Sequence, residues 1–276
     1  MPKTITDTVA LSNGVEMPWE GFGVFQMEPG PATQNTVEKA LEVGYRHVDT
    51  ASLYANEKEV GAALKASRIP RTEVFITTKV WNTDLGYDAT FKAFEKSLQL
   101  LDMDYIDLYL VHWPVKGKYL DTWKALEKLY RDGAVKAIGI SNFMVHQMQD
   151  VLEACEIKPM VNQCEYHPLY QRREIHQYCM ENQIQFEAWA PLGQGRALDI
   201  PEVLEIAAKH GKSPAQVLLR WDLQNEVVTI PKSITPARIM ENSQIFDFEL
   251  SGEEMARINN LNEEKHTLDY PADCGY

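Results

Sequence analysis

The chain has 276 residues, 45% of them hydrophobic, which is enough to bury a full core in one large α/β barrel or two medium domains. Its formal net charge of −13 argues against nucleic-acid or anionic-membrane partners, while leaving room for a small basic pocket. Cys155, Cys164, Cys179 and Cys274 form no Cys-x-x-Cys pair, so they read as reduced thiols of a cytoplasmic protein and not as a disulfide framework. No apolar run of signal-peptide type follows Met1-Pro2-Lys3-Thr4, and no stretch is long and apolar enough to be expected to cross a membrane.

Thr8 to Met17 carries Asn13-Gly14 between apolar positions, a hairpin signal. Short β-branched or aromatic runs then alternate with helical spacing. Strands are expected near 21–25, 45–49, 73–78, 105–111, 134–140, 159–163, 184–189 and 227–230. Asn56 followed by Glu59 resembles a capping box that opens the helix after Tyr54. Phe91, Phe94, Leu98 and Leu101 form one apolar helix face, and Trp123, Leu126 and Tyr130 another. An additional helix fits near Pro214 to Gln224, and a last one over Gly252 to Leu261. The tail from Asn262 to Tyr276 reads as irregular. Eight alternations with short connections favour an α/β fold of the (β/α)8 TIM-barrel type over an open sheet. The hairpin caps its bottom and two extra helices complete it. No linker or repeat appears, so residues 1–276 read as one domain.

In such a barrel, residues at the carboxyl ends of different strands converge on one face. Asp49, Lys79 and His112 end the second, third and fourth strands, and Tyr54 follows Asp49 closely. Their chemistry is complementary. A phenol can donate a proton, an ammonium can ease that donation, a carboxylate can hold the ammonium, and an imidazole can orient a carbonyl. A free tyrosine has a pKa of about 10, too high for an efficient acid near neutrality. An ammonium about 4 Å away contributes roughly 4 kcal/mol at an effective dielectric of about 20, or about three pKa units before desolvation opposes it. Lys79 alone is therefore expected to bring the Tyr54 phenol into a useful range. A structural ion pair or a hydrogen-bonded histidine would explain any one of these residues, and explains the four together less well.

Other chemistries find no support. Gly21-Phe22-Gly23 and Gly193-Gln194-Gly195 lack the third glycine of a dinucleotide fingerprint. Gly139-Ile140-Ser141-Asn142-Phe143 lacks the final glycine of a nucleophile elbow. No His-x-x-x-His or cysteine cluster suggests a metal.

Four blocks carry a resemblance over nearly the whole chain: Gly44-Tyr45-Arg46-His47-Val48-Asp49-Thr50-Ala51 with Tyr54 after it, Asp107 to Pro114, Ala137 to Phe143, and Ile230-Pro231-Lys232-Ser233. In this order they resemble the aldo-keto reductase superfamily. They look most like its bacterial and protozoan group of 2,5-diketo-D-gluconate reductases, glyoxal and methylglyoxal reductases and a prostaglandin F synthase. The resemblance implies NADPH-dependent reduction of a small aldehyde or ketone. It makes Tyr54 the proton donor, tuned by Lys79 and Asp49, with His112 positioning the carbonyl. It places Ser141, Asn142 and Gln163 on the nicotinamide amide, Trp189 against the nicotinamide ring, and Leu192 and Gln194 along the pyrophosphate. Lys232, Ser233 and Arg238 fall on the adenosine 2′-phosphate, and Glu241 and Asn242 on the adenine side. Phe25, Leu53, Trp81 and Trp113 join His112 as the substrate pocket. The tail, Leu268 to Tyr276, is short for this family, which implies an open pocket and broad substrate range. A monomer is the default, because a barrel needs no partner to close. The competing readings are a nicotinamide-binding regulatory subunit with little turnover, and a barrel hydrolase or isomerase, which would need paired carboxylates or a metal.

Overall fold

The computed structural model describes residues 2–270 and Cys274. Two short antiparallel strands, β1 (Thr8–Ala10) and β2 (Glu16–Pro18), form the expected hairpin. Gly14 turns it at φ 83°, a conformation that favours glycine. Asn13 donates through Nδ2 to the Lys136 carbonyl at 2.9 Å, at the start of a barrel strand. That contact seats the hairpin on the bottom of the barrel, and Met17 beside it is fully buried.

Eight parallel strands follow, in consecutive order. They are β3 (Phe22–Gly23), β4 (His47–Asp49), β5 (Phe75–Val80), β6 (Ile106–Val111), β7 (Val135–Ser141), β8 (Val161–Glu165), β9 (Gln185–Trp189) and β10 (Val228–Thr229). The sheet closes where the Gly21 amide donates to the Thr229 carbonyl at 2.9 Å and the Thr229 amide to Trp19 at 3.1 Å. The first and last strands are shorter than expected at 21–25 and 227–230. Strands β5 and β6 are buried at every position, as parallel strands covered on both faces must be.

Helices α1 (Pro31–Val43), α2 (Glu57–Ser67), α3 (Tyr87–Leu101), α4 (Tyr119–Arg131), α5 (Val145–Ala154) and α6 (Arg173–Glu181) follow the first six barrel strands in turn. The seventh is followed by α7 (Pro201–His210) and α8 (Pro214–Gln224), the eighth by α9 (Pro236–Asn242) and α10 (Gly252–Asn259). The two additional helices are thus present. Ser213 and Ser251 cap α8 and α10 through capping boxes. Phe94, Leu101, Trp123 and Leu126 face the core as their spacing implied.

One local expectation fails. Asn56 precedes α2 but caps nothing with its side chain. Its Oδ1 accepts from the Thr50 hydroxyl at 2.8 Å, and its Nδ2 donates to the carbonyls of Val24 and Met27 at 3.0 Å. Tertiary partners have taken the groups a cap would use, and they tie together the loops after β3 and β4, which carry Phe25 and Tyr54. α2 is held in turn by Gly61, where a Cβ would stand 2.1 Å from the Leu101 carbonyl oxygen. No helix among the described residues is long and apolar enough to cross a membrane. Residues 262–270 form no helix or strand; positions 271–273, 275 and 276 of the expected tail lie outside the described residues.

Candidate active site

A cavity of about 870 Å³ opens at the carboxyl ends of the strands. At its floor, Lys79 is fully buried and donates to Asp49 Oδ1 at 2.6 Å and to the Thr50 carbonyl at 2.9 Å. Its Nζ lies 5.2 Å from the centre of the Tyr54 ring. Tyr54 meets His112 edge to face, with centroids 5.7 Å apart, and Trp81 packs on the other side of His112 at 5.0 Å. The four residues drawn from four stretches of sequence therefore form one cluster. Asp49, Tyr54 and His112 border the cavity, and Lys79 supports them from behind.

The protonation states follow from burial and neighbours. Burial pulls Lys79 down, but Asp49, Tyr54 and Glu187 more than offset it, and the amine ends above its ordinary value as a cation. His112 is held well below the usual histidine range, first by burial and then by the Lys79 charge, so its imidazole is neutral. Tyr54 corrects the sequence expectation. Burial pushes its phenol up to about 12; Lys79 pulls it down, and Asp49 pushes it up again. A lone lysine would have acidified the phenol. A lysine already neutralised by a carboxylate, in a poorly solvated corner, does not.

Next to this cluster the ends of β7, β8 and β9 form a hydrogen-bonded shelf. Ser141 donates to the Gln163 carbonyl at 2.8 Å. Asn142, at φ 64°, donates to the His112 carbonyl and to Ser141 Oγ, both at 3.0 Å, and the Trp189 indole donates to Asn142 Oδ1 at 2.9 Å. Gln163 Nε2 donates to Asp49 Oδ2 and Glu187 Oε2, both at 2.8 Å. That use of both hydrogens leaves its Oε1 as the acceptor on the cavity side.

Leu192 and Gln194 border the cavity on the tight turn Gly193–Gly195, where Gln194 adopts φ 54°. Farther out lie Lys232, Ser233 and Arg238, with Glu241 and Asn242 on α9. Lys232 and Arg238 are exposed, and neither makes an ion pair with a described residue. Phe25 and Leu53 stand exposed at the opposite rim, while Trp113 is buried. All the cofactor and pocket positions expected from the sequence thus border one cavity.

Two features were missed. Glu187 is a fully buried carboxyl in the middle of β9, raised to about 8 by burial first and the Asp49 charge next. Its sequence signal was an acid inside a barrel strand, two residues before Trp189. Glu165 tethers the tail: it accepts from the Thr267 amide at 2.5 Å, from the Thr267 hydroxyl at 2.6 Å and from Tyr270 at 2.7 Å. The strap so held brings Leu268 and Asp269 to the cavity, and Tyr270 packs on Trp113 with centroids 5.2 Å apart. The short tail therefore reaches the mouth.

The aldo/keto reductase family profile matches residues 21–263. The chain belongs to the aldo/keto reductase family. It is 57% identical over 265 residues to glyoxal reductase of Bacillus subtilis (strain 168), with 96% of each chain covered. It is 53% identical over 260 residues to 9,11-endoperoxide prostaglandin H2 reductase of Trypanosoma cruzi (strain CL Brener), covering 93% of this chain and 92% of that one. An aldo-keto reductase crystallised with NADPH superposes with a TM-score of 0.91 at 33% identity, covering 95% of this chain and 89% of that one. Family membership makes this protein an oxidoreductase.

Proposed function

We propose that this protein reduces small aldehydes and ketones to alcohols with NADPH, and that Tyr54 supplies the proton. The observation that carries the reading is the buried Lys79–Asp49 pair set against Tyr54 and a neutral His112 at the floor of a large cavity. The cofactor reading is supported by family membership and by a relative crystallised with NADPH. The residues present fit it. Gln163 Oε1 offers an acceptor to a carboxamide, Ser141 and Asn142 give the shelf beside it fixed polar groups, and Trp189 offers a ring. Lys232 and Arg238 are two exposed cations beside a hydroxyl, which suits a phosphate dianion.

NADPH, when bound, supplies the hydride to the carbonyl carbon. The chain does the rest. Neutral His112 can donate from one ring nitrogen to the carbonyl oxygen and hold it. Tyr54 keeps its proton at neutral pH, because its phenol lies far above that range. It gives the proton only when the oxygen gains negative charge, and Lys79 then stabilises the phenolate left behind. The Lys79 cation thus acts on the transition state more than on the resting phenol, which is where stabilisation accelerates a reaction. Asp49 keeps Lys79 charged and aimed. Solvent returns the proton to Tyr54.

Phe25, Leu53, Trp81 and Trp113 give the pocket largely apolar walls, which suits small carbonyls such as glyoxal, methylglyoxal or aromatic aldehydes. The test is NADPH oxidation against a panel of glyoxal, methylglyoxal, 4-nitrobenzaldehyde and 2,5-diketo-D-gluconate. Turnover of several members is expected. No turnover of any, with NADPH still bound, would instead support a cofactor-binding subunit. Strong preference for one member would contradict the broad pocket.

A further inference from the structure

Asp49 and Glu187 reach the same amide nitrogen of Gln163, each at 2.8 Å. Gln163 and Glu187 are register partners on β8 and β9, while Asp49 comes across the barrel from β4. Two carboxyls sharing one neutral donor, with one buried lysine between them in charge, cannot both ionise cheaply. Asp49 has Lys79 as a direct partner, and Glu187 does not. Glu187 Oε1 has no hydrogen-bond partner among the described residues, and His47 Nε2 lies 3.8 Å from it. The proton therefore belongs on Glu187.

We propose that Glu187 is a proton-linked positioning residue. Its neutral form holds the Gln163 amide in place for a reduced nicotinamide, and its ionised form would favour the oxidised, positively charged ring. This rests on the reading of Gln163 as a nicotinamide contact. A bound cofactor whose ring became cationic would favour loss of the Glu187 proton. The acid regains that proton when the reduced cofactor returns. The carboxyl acts through Gln163 and through its field on Lys79 and Tyr54, and touches no reacting atom.

Two other buried carboxyls raised by burial, Glu20 and Asp222, meet the neighbouring strand β10 at Thr229, and a Glu187→Gln variant separates their titration from that of Glu187. From β4, His47 is held down at about 3 by burial and by Lys79, and Asp49 is paired. From β5, Lys79 is a firm cation and Thr77 bonds His47. Tyr54 lies at about 12 and His112 stays neutral. On β8, Gln163 is uncharged, and Glu165 is held below its ordinary value by hydrogen bonds from His167, Thr267 and Tyr270 that outweigh its burial. Cys164 is raised to about 11 by burial. Of the two carboxyls on Gln163, Glu187 is the one without a cationic partner, and burial and the Asp49 charge raise it toward neutrality.

The test compares NADP+ and NADPH affinity, by quenching of tryptophan fluorescence, from pH 6.5 to 9. Titration of the 2′-phosphate is common to both cofactors and cancels in their ratio. The wild type is expected to shift its ratio toward NADP+ by roughly threefold to tenfold as pH rises, the range one partly screened charge produces. In Glu187→Gln, which keeps an acceptor for Gln163 and has no proton to lose, the ratio is expected to stay flat. A flat ratio in the wild type overturns the proposal without any variant, and so does an unchanged slope in the variant. The measurement needs no turnover. Failure of the carbonyl panel would therefore count against the reductase reading, and failure here against the link from Glu187 through Gln163 to the nicotinamide, with the reductase reading left standing.

Discussion

The two ends of the cavity are built in opposite ways. At the floor, Lys79, Asp49, Gln163 and Glu187 are buried and joined by hydrogen bonds of 2.6 to 2.8 Å. At the outer rim, Lys232 and Arg238 stand in solvent with no ion pair to a described residue. The floor is organised before anything binds, and its partners are protein groups. The rim presents solvated cations with no ion pair to a described residue. Chemistry needs fixed geometry and low dielectric, whereas capture of a phosphate needs accessible charge. One cavity thus holds a hydrogen-bonded floor and an open, cationic rim.

The largest effects should come from breaking the floor. Lys79→Met leaves the Asp49 carboxylate buried with only Gln163, so a stability loss of about 3–5 kcal/mol is expected in urea unfolding. The carbonyl-reduction rate should fall by roughly 10² to 10⁴ in steady-state assays of the folded fraction. Near-normal stability would mean that the ion pair is not what holds this corner. At the rim the loss should be selective. Arg238→Ala is expected to weaken NADPH binding about 10- to 100-fold, the worth of a charge-assisted hydrogen bond, while NADH changes little. Equal loss for both cofactors would remove the 2′-phosphate assignment.

A smaller effect separates Glu187 from its neighbours. Its folded-state pKa is raised, so at low pH it is protonated both folded and unfolded and costs nothing. As pH climbs from its ordinary value of 4.5 toward about 8, the unfolded chain releases a proton that the native state retains, and stability is lost. Glu187→Gln should therefore melt progressively higher than the wild type as pH rises from 5 to 8, with the gap closing at acid pH. A gap independent of pH would show that the substitution acts through packing.

The barrel and its quartet were legible because topology, more than detail, brings them together. Residues at successive strand ends meet on one face whatever the helices between them look like. The rim was legible only through resemblance, since two exposed cations and a serine say little by their spacing. What stayed hidden depended on contacts across the barrel. Gln163 and Asp49 are 114 positions apart and Glu165 and Thr267 are 102 apart, and no local pattern announces either pair. Asn56 shows the reverse failure, a local pattern overruled because loop carbonyls claimed its side chain. Tyr54 shows a third: its identity was readable, but its acidity depended on how much water Asp49, Lys79 and the packed floor leave around it.

The division of labour between floor and rim rests on Tyr54 as the proton donor. Tyr54→Phe removes one oxygen and should leave the rim untouched. The decisive measurement is NADPH affinity by fluorescence together with kcat for methylglyoxal reduction in this variant. Affinity within about threefold of wild type, with kcat reduced by roughly 10² to 10⁴, is the outcome expected if proton transfer is what was lost. Retention of near-full kcat would contradict the assignment and leave the proton to another group.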